Sequence, residues 1–231
     1  MQGEQELIKD FGLSRITVRA ALKLLERDGW VVRKQGIGTF AGHAIDQELS
    51  TVRTIPEVLM TLGMMPDVKV LSFGAVRPPL EVQRELKLQP GERVLLMRRL
   101  YRSGQMPVAL VHVYLPAAMM KHADILRNER SPTETTYTIL EQKLGVVIKE
   151  AQHVIKSRIA NRDEARALRI KAGAPILVIE RLTTDTKGRP LEYDVCHYHS
   201  ERYTFSVTVP RRELASKGAF VQARGLKTAL G

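Results

Sequence analysis

The sequence predicts an α+β protein in two parts: a small helical module ending in a basic hairpin, and a larger domain built on an antiparallel sheet. Three observations carry this. Residues 14–40 pass from a helical repeat to a glycine-punctuated hairpin, two further hairpins fall at 94–115 and 176–198, and short helical stretches separate the strands. Because hairpins predominate, the larger sheet is expected to be antiparallel with flanking helices.

Leu7, Ile8 and Phe11 form a short apolar stripe, and Gly12 can take the positive φ that ends a helix in a tight turn. Ser14 is a good N-cap, with Leu13 before it and Val18 at the fourth helical position, the pairing of a hydrophobic staple. Val18, Leu22 and Leu25 recur at i, i+4 and i+7 and share one helical face, while Arg15 and Arg19 lie on another. The helix should stop at Gly29. Trp30–Val32 then reads as a strand, Gln35-Gly36-Ile37-Gly38 as a turn and Thr39-Phe40 as the returning strand.

That order is a helix-turn-helix with a wing. In such a motif the first turn of the second helix enters the major groove, where guanidinium groups pair with guanine and hydroxyls reach bases or phosphates. Ser14, Arg15, Thr17 and Arg19 occupy that turn. In the wing, Arg33 and Gln35 supply donors and Gly36 lets the backbone approach the sugar-phosphate wall. Residues 14–40 hold six Lys/Arg against two acids. Either arginine alone would suit a solvated helix face, but together with the wing they predict contact with double-stranded DNA.

From residue 43 to 53 periodicity is lost, and a linker is expected. Beyond it the sequence predicts a helix over 55–62, a strand over 68–76, a helix over 80–88 and a hairpin of 94–101 with 108–115. A helix over 135–144, a strand over 146–159, a helix over 162–168 and a hairpin of 176–184 with 191–198 follow. Side chains alternate along a strand, so Arg99 and Tyr101 share a face, as do Glu192, Asp194, Cys196 and Tyr198 if no bulge intervenes. A guanidinium facing carboxylates and phenols can bind a polar metabolite; the lesser alternative for Arg99 is a salt bridge within the sheet. Thr135 would sit at a helix start, where free N–H groups favour an anion. Ser131-Pro132-Thr133-Glu134 is itself a capping box, which would begin that helix a turn earlier.

The formal net charge is +11 over 231 residues. Only +2 of it falls in residues 1–42, the rest being spread along the chain and into a basic tail at 211–231, read as a solvated end. No apolar run is long enough for a membrane span, the polar start is no signal peptide, and the single cysteine, Cys196, fits a reducing compartment. The expected location is therefore cytoplasmic. Cys196-His197-Tyr198-His199 offers two histidines without a third ligand nearby, so they are read as surface histidines, with no metal and no cofactor. Without a nucleophile–base pair or a glycine-rich phosphate loop, no reaction can be assigned and no enzyme is expected.

Glu6-Leu7, the run Phe11–Leu22 (Phe-Gly-Leu-Ser-Arg-Ile-Thr-Val-Arg-Ala-Ala-Leu), Leu25-Glu-Arg-Asp-Gly-Trp30 and Lys34-Gln-Gly-Ile-Gly-Thr-Phe40 together resemble the DNA-binding domain of GntR-superfamily bacterial transcription regulators. The resemblance implies operator contacts at Arg15, Arg19, the neighbouring hydroxyls and Gly36. Two departures stand out. The first helix and Gly/Pro turn that family members carry before the position of Glu4 are not in this chain, and Gln5 stands where the family often has an arginine. Weaker or absent operator binding, relative to a version extended upstream, is therefore expected in a mobility-shift comparison. Further on, Arg99-Leu-Tyr101, Gly104, Pro107-Val108, Tyr114-Leu-Pro116, Thr135-Thr-Tyr-Thr-Ile-Leu-Glu141, Gly188-Arg-Pro-Leu-Glu-Tyr193, Tyr198 and Arg202-Tyr-Thr-Phe205 resemble the UTRA effector-binding domain. Joined, the two parts resemble the HutC subfamily.

The resemblance implies a chorismate-lyase-like fold over residues 54–210, a small-molecule effector and a homodimer. Arg99, Thr135 and Tyr137 would hold an anionic group, and Glu192 and Tyr198 the rest of the ligand. Tyr101 and Val111 stand where sugar-phosphate-binding members often carry a second arginine and a glutamate, which leaves a smaller carboxylate or an amine open. The implied function is a metabolite-responsive repressor on a pseudo-palindromic operator. The competing reading is a ligand-binding or lyase-like enzyme of the same fold.

Overall fold

The computed structural model describes residues 4–27, 31–34, 38–41, 45–127 and 134–210. Two helices open the chain, α1 (Glu4–Phe11) and α2 (Arg15–Arg27), joined through Gly12 at φ +61°. Val18 and Leu22 are buried, whereas Phe11 (67% exposed) and Ile16 (82%) keep an apolar surface towards solvent. The wing follows as β1 (Val31–Lys34) and β2 (Gly38–Ala41), paired antiparallel. Gly29, Trp30 and the tip residues 35–37 lie outside the described residues, as does the basic tail from 211.

The stretch expected to be an aperiodic linker contains a strand. Ile45–Glu48 forms β3 and pairs in parallel with β10 (Tyr203–Ser206) at the far end of the described chain. The pairing buries Ile45 and Gln47, the two alternate side chains of a segment too short and polar to show a local period.

Next come α3 (Ile55–Thr61), β4 (Pro66–Val76), α4 (Leu80–Glu85), β5 (Val94–Ser103) and β6 (Met106–Leu115). A 3-10 segment (Ala117–His122) leads into α5 (Ala123–Arg127), neither of which was anticipated. The expected helix over 135–144 is one α-turn, α6 (Thr136–Thr138), running on as a π-turn over Ile139–Lys143. The chain then forms β7 (Ile148–Ile159), α7 (Arg162–Leu168), β8 (Pro175–Asp185) and β9 (Pro190–His199).

Six of these strands make one antiparallel sheet in the order β4-β5-β6-β9-β8-β7. Each face of the sheet is covered. On one side Met97, Tyr101, Val111, Val113 and Ile179 pack under α3, the α6 turn and the β3–β10 pair, through Leu59, Ile139, Ile45 and Tyr203. On the other, α7 seats Ala165 and Leu168 on Leu100, Leu110 and Val178, and Val82 of α4 packs with Tyr114 and Tyr193. Two apolar layers, each sealing one face, fix the register, because a one-residue slip would send the charged side chains of one face into the core of the other.

Asn161 starts α7 with a reciprocal cap: its side chain accepts from the Glu164 N–H at 2.9 Å, and Glu164 Oε2 accepts from the Asn161 N–H at 2.9 Å. Asn161→Ala removes one of the two bonds and is expected to cost about 0.5–2 kcal/mol in urea unfolding. An unchanged midpoint would show that packing alone holds this helix.

Candidate functional site

Ser14 caps α2 as the sequence suggests. Its Oγ accepts from the Thr17 N–H at 3.2 Å and shares a hydrogen bond with Thr17 Oγ1 at 2.8 Å. Ser14, Arg15, Thr17 and Arg19 are all exposed, and Arg19 Nε stands 3.5 Å from Glu4 Oε2. This leaves Arg15 and the two hydroxyls on the surface of the first turn. Arg33 lies on β1 opposite Thr39, while Gln35 and Gly36 fall outside the described residues.

The six residues singled out for an effector, Arg99, Tyr101, Thr135, Tyr137, Glu192 and Tyr198, line one narrow cleft on the α3 side of the sheet. Thr54, Thr136, Arg181 and Asp194 join them there. The strand register explains the convergence. Arg99 lies opposite Val111 on β6, Val111 opposite Cys196 on β9, and Asp194, two residues back along β9, lies opposite Arg181 on β8, so every second residue points into the same space.

Arg99 is 1% exposed. Its Nη1 donates to Tyr101 Oη and to Thr136 Oγ1, each at 3.2 Å, and its Nε donates to Met97 Sδ at 3.1 Å. Thr135 is the N-cap of α6: its Oγ1 accepts from the Thr138 N–H at 3.3 Å, and Thr138 Oγ1 accepts from the Thr135 N–H at 2.8 Å. The described helix therefore begins at Thr135; Ser131, Pro132 and Thr133 of the other capping box lie outside the described residues. Tyr137 Oη lies 2.7 Å from Thr183 Oγ1, and the Arg181 guanidinium sits over the Tyr137 ring at 5.0 Å.

Arg181 is the residue that sequence reasoning missed most clearly. Its Nε donates to Asp194 Oδ2 at 3.0 Å, its Nη2 donates to the same oxygen, and Nη2 stands 3.7 Å from Glu192 Oε1. Burial pulls its pKa down, but Asp194 and the other acidic groups around it, including Glu192, outweigh that and hold it well above its ordinary value. Glu192 moves the other way: burial first, then Asp194, push its carboxyl well above the usual carboxylate range, against the opposing pull of Arg181 and Arg99. Burial also pushes the Cys196 thiol up to about 12, so it is a packing residue rather than a nucleophile. Tyr198 stacks on Tyr203, with ring centroids 4.3 Å apart, and Tyr203 Oη donates to Gln47 Oε1 at 2.7 Å, so the cleft wall reaches β3.

The histidines are not on the surface. His197 and His199 are 2% and 5% exposed; α7 covers His197 through Glu164, and His199 lies beside the turn at Glu201 and Arg202. His197 Nδ1 lies 3.0 Å from the Leu110 carbonyl and so donates to it, and His197 Nε2 stands 3.4 Å from Glu164 Oε1. Among the described residues, no group of three or more His, Cys, Asp or Glu could hold a metal ion.

Burial would raise Glu164, but hydrogen bonds from Arg158 and the Asn161 N–H, with His197 nearby, bring it down to about 2. A carboxylate lowered on folding adds stability above its unfolded pKa and loses it as pH falls. Glu164→Gln is therefore expected to flatten the loss of stability between about pH 4.5 and pH 2, measured by thermal unfolding across that range. An acid limb as steep as the parent's would place the acid sensitivity elsewhere.

Comparisons with known proteins bear on both parts. Residues 3–41 match the family described as bacterial regulatory proteins, gntR family, and residues 61–204 match the UTRA domain. The chain is 44% identical over 225 residues to the HTH-type transcriptional regulator Rv0792c of Mycobacterium tuberculosis, covering 97% of this chain and 82% of that protein. It is 30% identical over 181 residues to the histidine utilization repressor of Pseudomonas putida, covering 78% of this chain and 71% of the other. In fold it is similar to PhnF from Mycobacterium smegmatis, with a TM-score of 0.66 and 22% identity over 92% of each chain. No described helix is long and apolar enough to cross a membrane.

Proposed function

We propose, from the premise that this chain belongs to the gntR family of bacterial regulatory proteins and is a transcriptional regulator of the GntR/HutC type with a UTRA effector domain, that it is a metabolite-responsive repressor. Residues 1–42 contact double-stranded DNA through Ser14, Arg15, Thr17, Arg19, Arg33, Gln35 and Gly36. Residues 54–210 hold a small polar or anionic effector in the cleft and pair two copies of the chain. A homodimer then offers two recognition helices to inverted half-sites. The cleft carries this reading, because it turns buried guanidinium, carboxylate and phenol groups towards one small space, which suits a ligand with both charged and polar groups. Effector and operator oppose each other by linkage, so each lowers the affinity of the other by the same factor.

Selection of bound duplexes from a random DNA pool with the 231-residue chain tests this. Inverted repeats, two chains per duplex by sedimentation, and release by a metabolite fraction are expected. An asymmetric site bound by one chain would overturn the dimer, and catalytic consumption of the released metabolite would favour the lyase-like reading instead.

A further inference from the structure

Three carboxylate oxygens of the cleft have no donor. Oε1 and Oε2 of Glu192 and Oδ1 of Asp194 are buried without a hydrogen-bond partner, and each of these side chains is only 1% exposed. Both residues line the cleft and, two apart on β9, project from the same face. Arg181 does not relieve them: two of its N–H groups converge on Asp194 Oδ2, and its approach to Glu192 at 3.7 Å is too long for a hydrogen bond. Acceptors buried in this way cost free energy unless something brings N–H or O–H groups to them.

We propose that the effector carries a protonated amine, seated on Glu192 and Asp194, together with an acidic group at the Arg99–Thr136 end of the cleft. This names the ligand class of the same cleft and rests on its reading as an effector site. A primary ammonium brings three N–H donors to these oxygens, in place of the single proton that Glu192 can offer Asp194. Charge balance points the same way. With both acids ionised, Glu192 and Asp194 cancel Arg99 and Arg181, so a ligand that keeps the site neutral is itself a zwitterion. A dianionic sugar phosphate would leave the buried groups with a negative charge in excess even with Glu192 protonated, and a polyol would offer hydroxyls but no charge to ionise Glu192.

The proton balance is explicit. Burial and Asp194 favour the protonated Glu192 carboxyl despite Arg181 and Arg99, and an ammonium seated directly on it displaces that proton to solvent. Binding thus releases up to one proton per site.

The test uses the full chain and probe pairs that differ only in the amine: γ-aminobutyrate against butyrate, phosphoethanolamine against ethyl phosphate, histidine against imidazole propionate. Thermal shift and titration calorimetry in phosphate and Tris are expected to show at least one amine member binding tenfold or more tightly than its partner, with a buffer-dependent heat that reports proton release. Glu192→Gln should reduce that preference to within threefold and abolish the proton release. If this variant fails to fold, the buffer dependence of the parent chain carries the test alone. Equal or tighter binding of the members without the amine overturns the amine class while leaving the cleft an effector site, and binding by neither member of any pair overturns the class as well. A probe that binds with the amine preference and proton release but leaves operator affinity unchanged upholds the class and overturns the effector reading.

Discussion

Arg181→Met is expected to destabilise the protein by about 3–5 kcal/mol, read as a fall in the urea midpoint. The guanidinium stands between Asp194 and Glu192 and over the Tyr137 ring, with 14% of its side chain exposed, while both acids are almost fully enclosed. Methionine fills much of the volume but takes both N–H donors from Asp194 and removes the cation that lies between it and Glu192. Arg181→Lys should fall between the two, because a point charge cannot offer Nε and Nη2 to Asp194 at once. The cost should shrink when Arg181→Met is combined with Asp194→Asn, since the residues are coupled. A single variant within about 1 kcal/mol of the parent would mean that the Arg181–Asp194 pair adds nothing over an apolar side chain of similar volume.

Arg15→Ala is expected to weaken specific operator binding by about 1–3 kcal/mol, roughly 5- to 150-fold, in fluorescence anisotropy at fixed salt. Arg15 is exposed on the first turn of α2, beside the mutually bonded Ser14 and Thr17 hydroxyls. Arg19→Ala should cost less if Arg19 keeps its contact with Glu4, since holding DNA then means giving up an ion pair. Non-specific binding should change little in Arg15→Ala, separating lost base recognition from lost phosphate attraction. Unchanged discrimination between operator and random duplex would remove α2 as the reading element.

Much of this architecture is legible in the sequence wherever the signal is local. Ser14 reads as a cap from its neighbours alone, and the hairpin turns announce themselves through Gly104 at φ +57° and Gly188 at φ +72°. The shared face of Glu192, Asp194, Cys196 and Tyr198 follows from period two. What was missed depends on partners far away in the chain. Arg181 sits in Ile-Glu-Arg-Leu-Thr-Thr with no local mark of function, and only the β8–β9 register sets it opposite Asp194. Asp194 could have been added to the site from its spacing to Glu192. The β3–β10 pair joins segments over 150 residues apart, which no window of sequence reveals. The burial of His197 has no local mark either, because α7 is short and its docking face is set by three-dimensional packing.

The parallel pairing of β3 with β10 has a mechanical side. β2 ends at Ala41 and β3 begins at Ile45, so four peptide steps join the wing to a strand clamped on the effector domain, and such a stretch reaches about 14 Å at most. A leash that short restricts the wing to a small volume around its anchor point. Wherever β3 is held, the end of the wing stays within that reach of it. The anchor itself is fastened through Gln47 to the Tyr203 hydroxyl, and the Tyr203 ring leans on Tyr198 in the cleft wall.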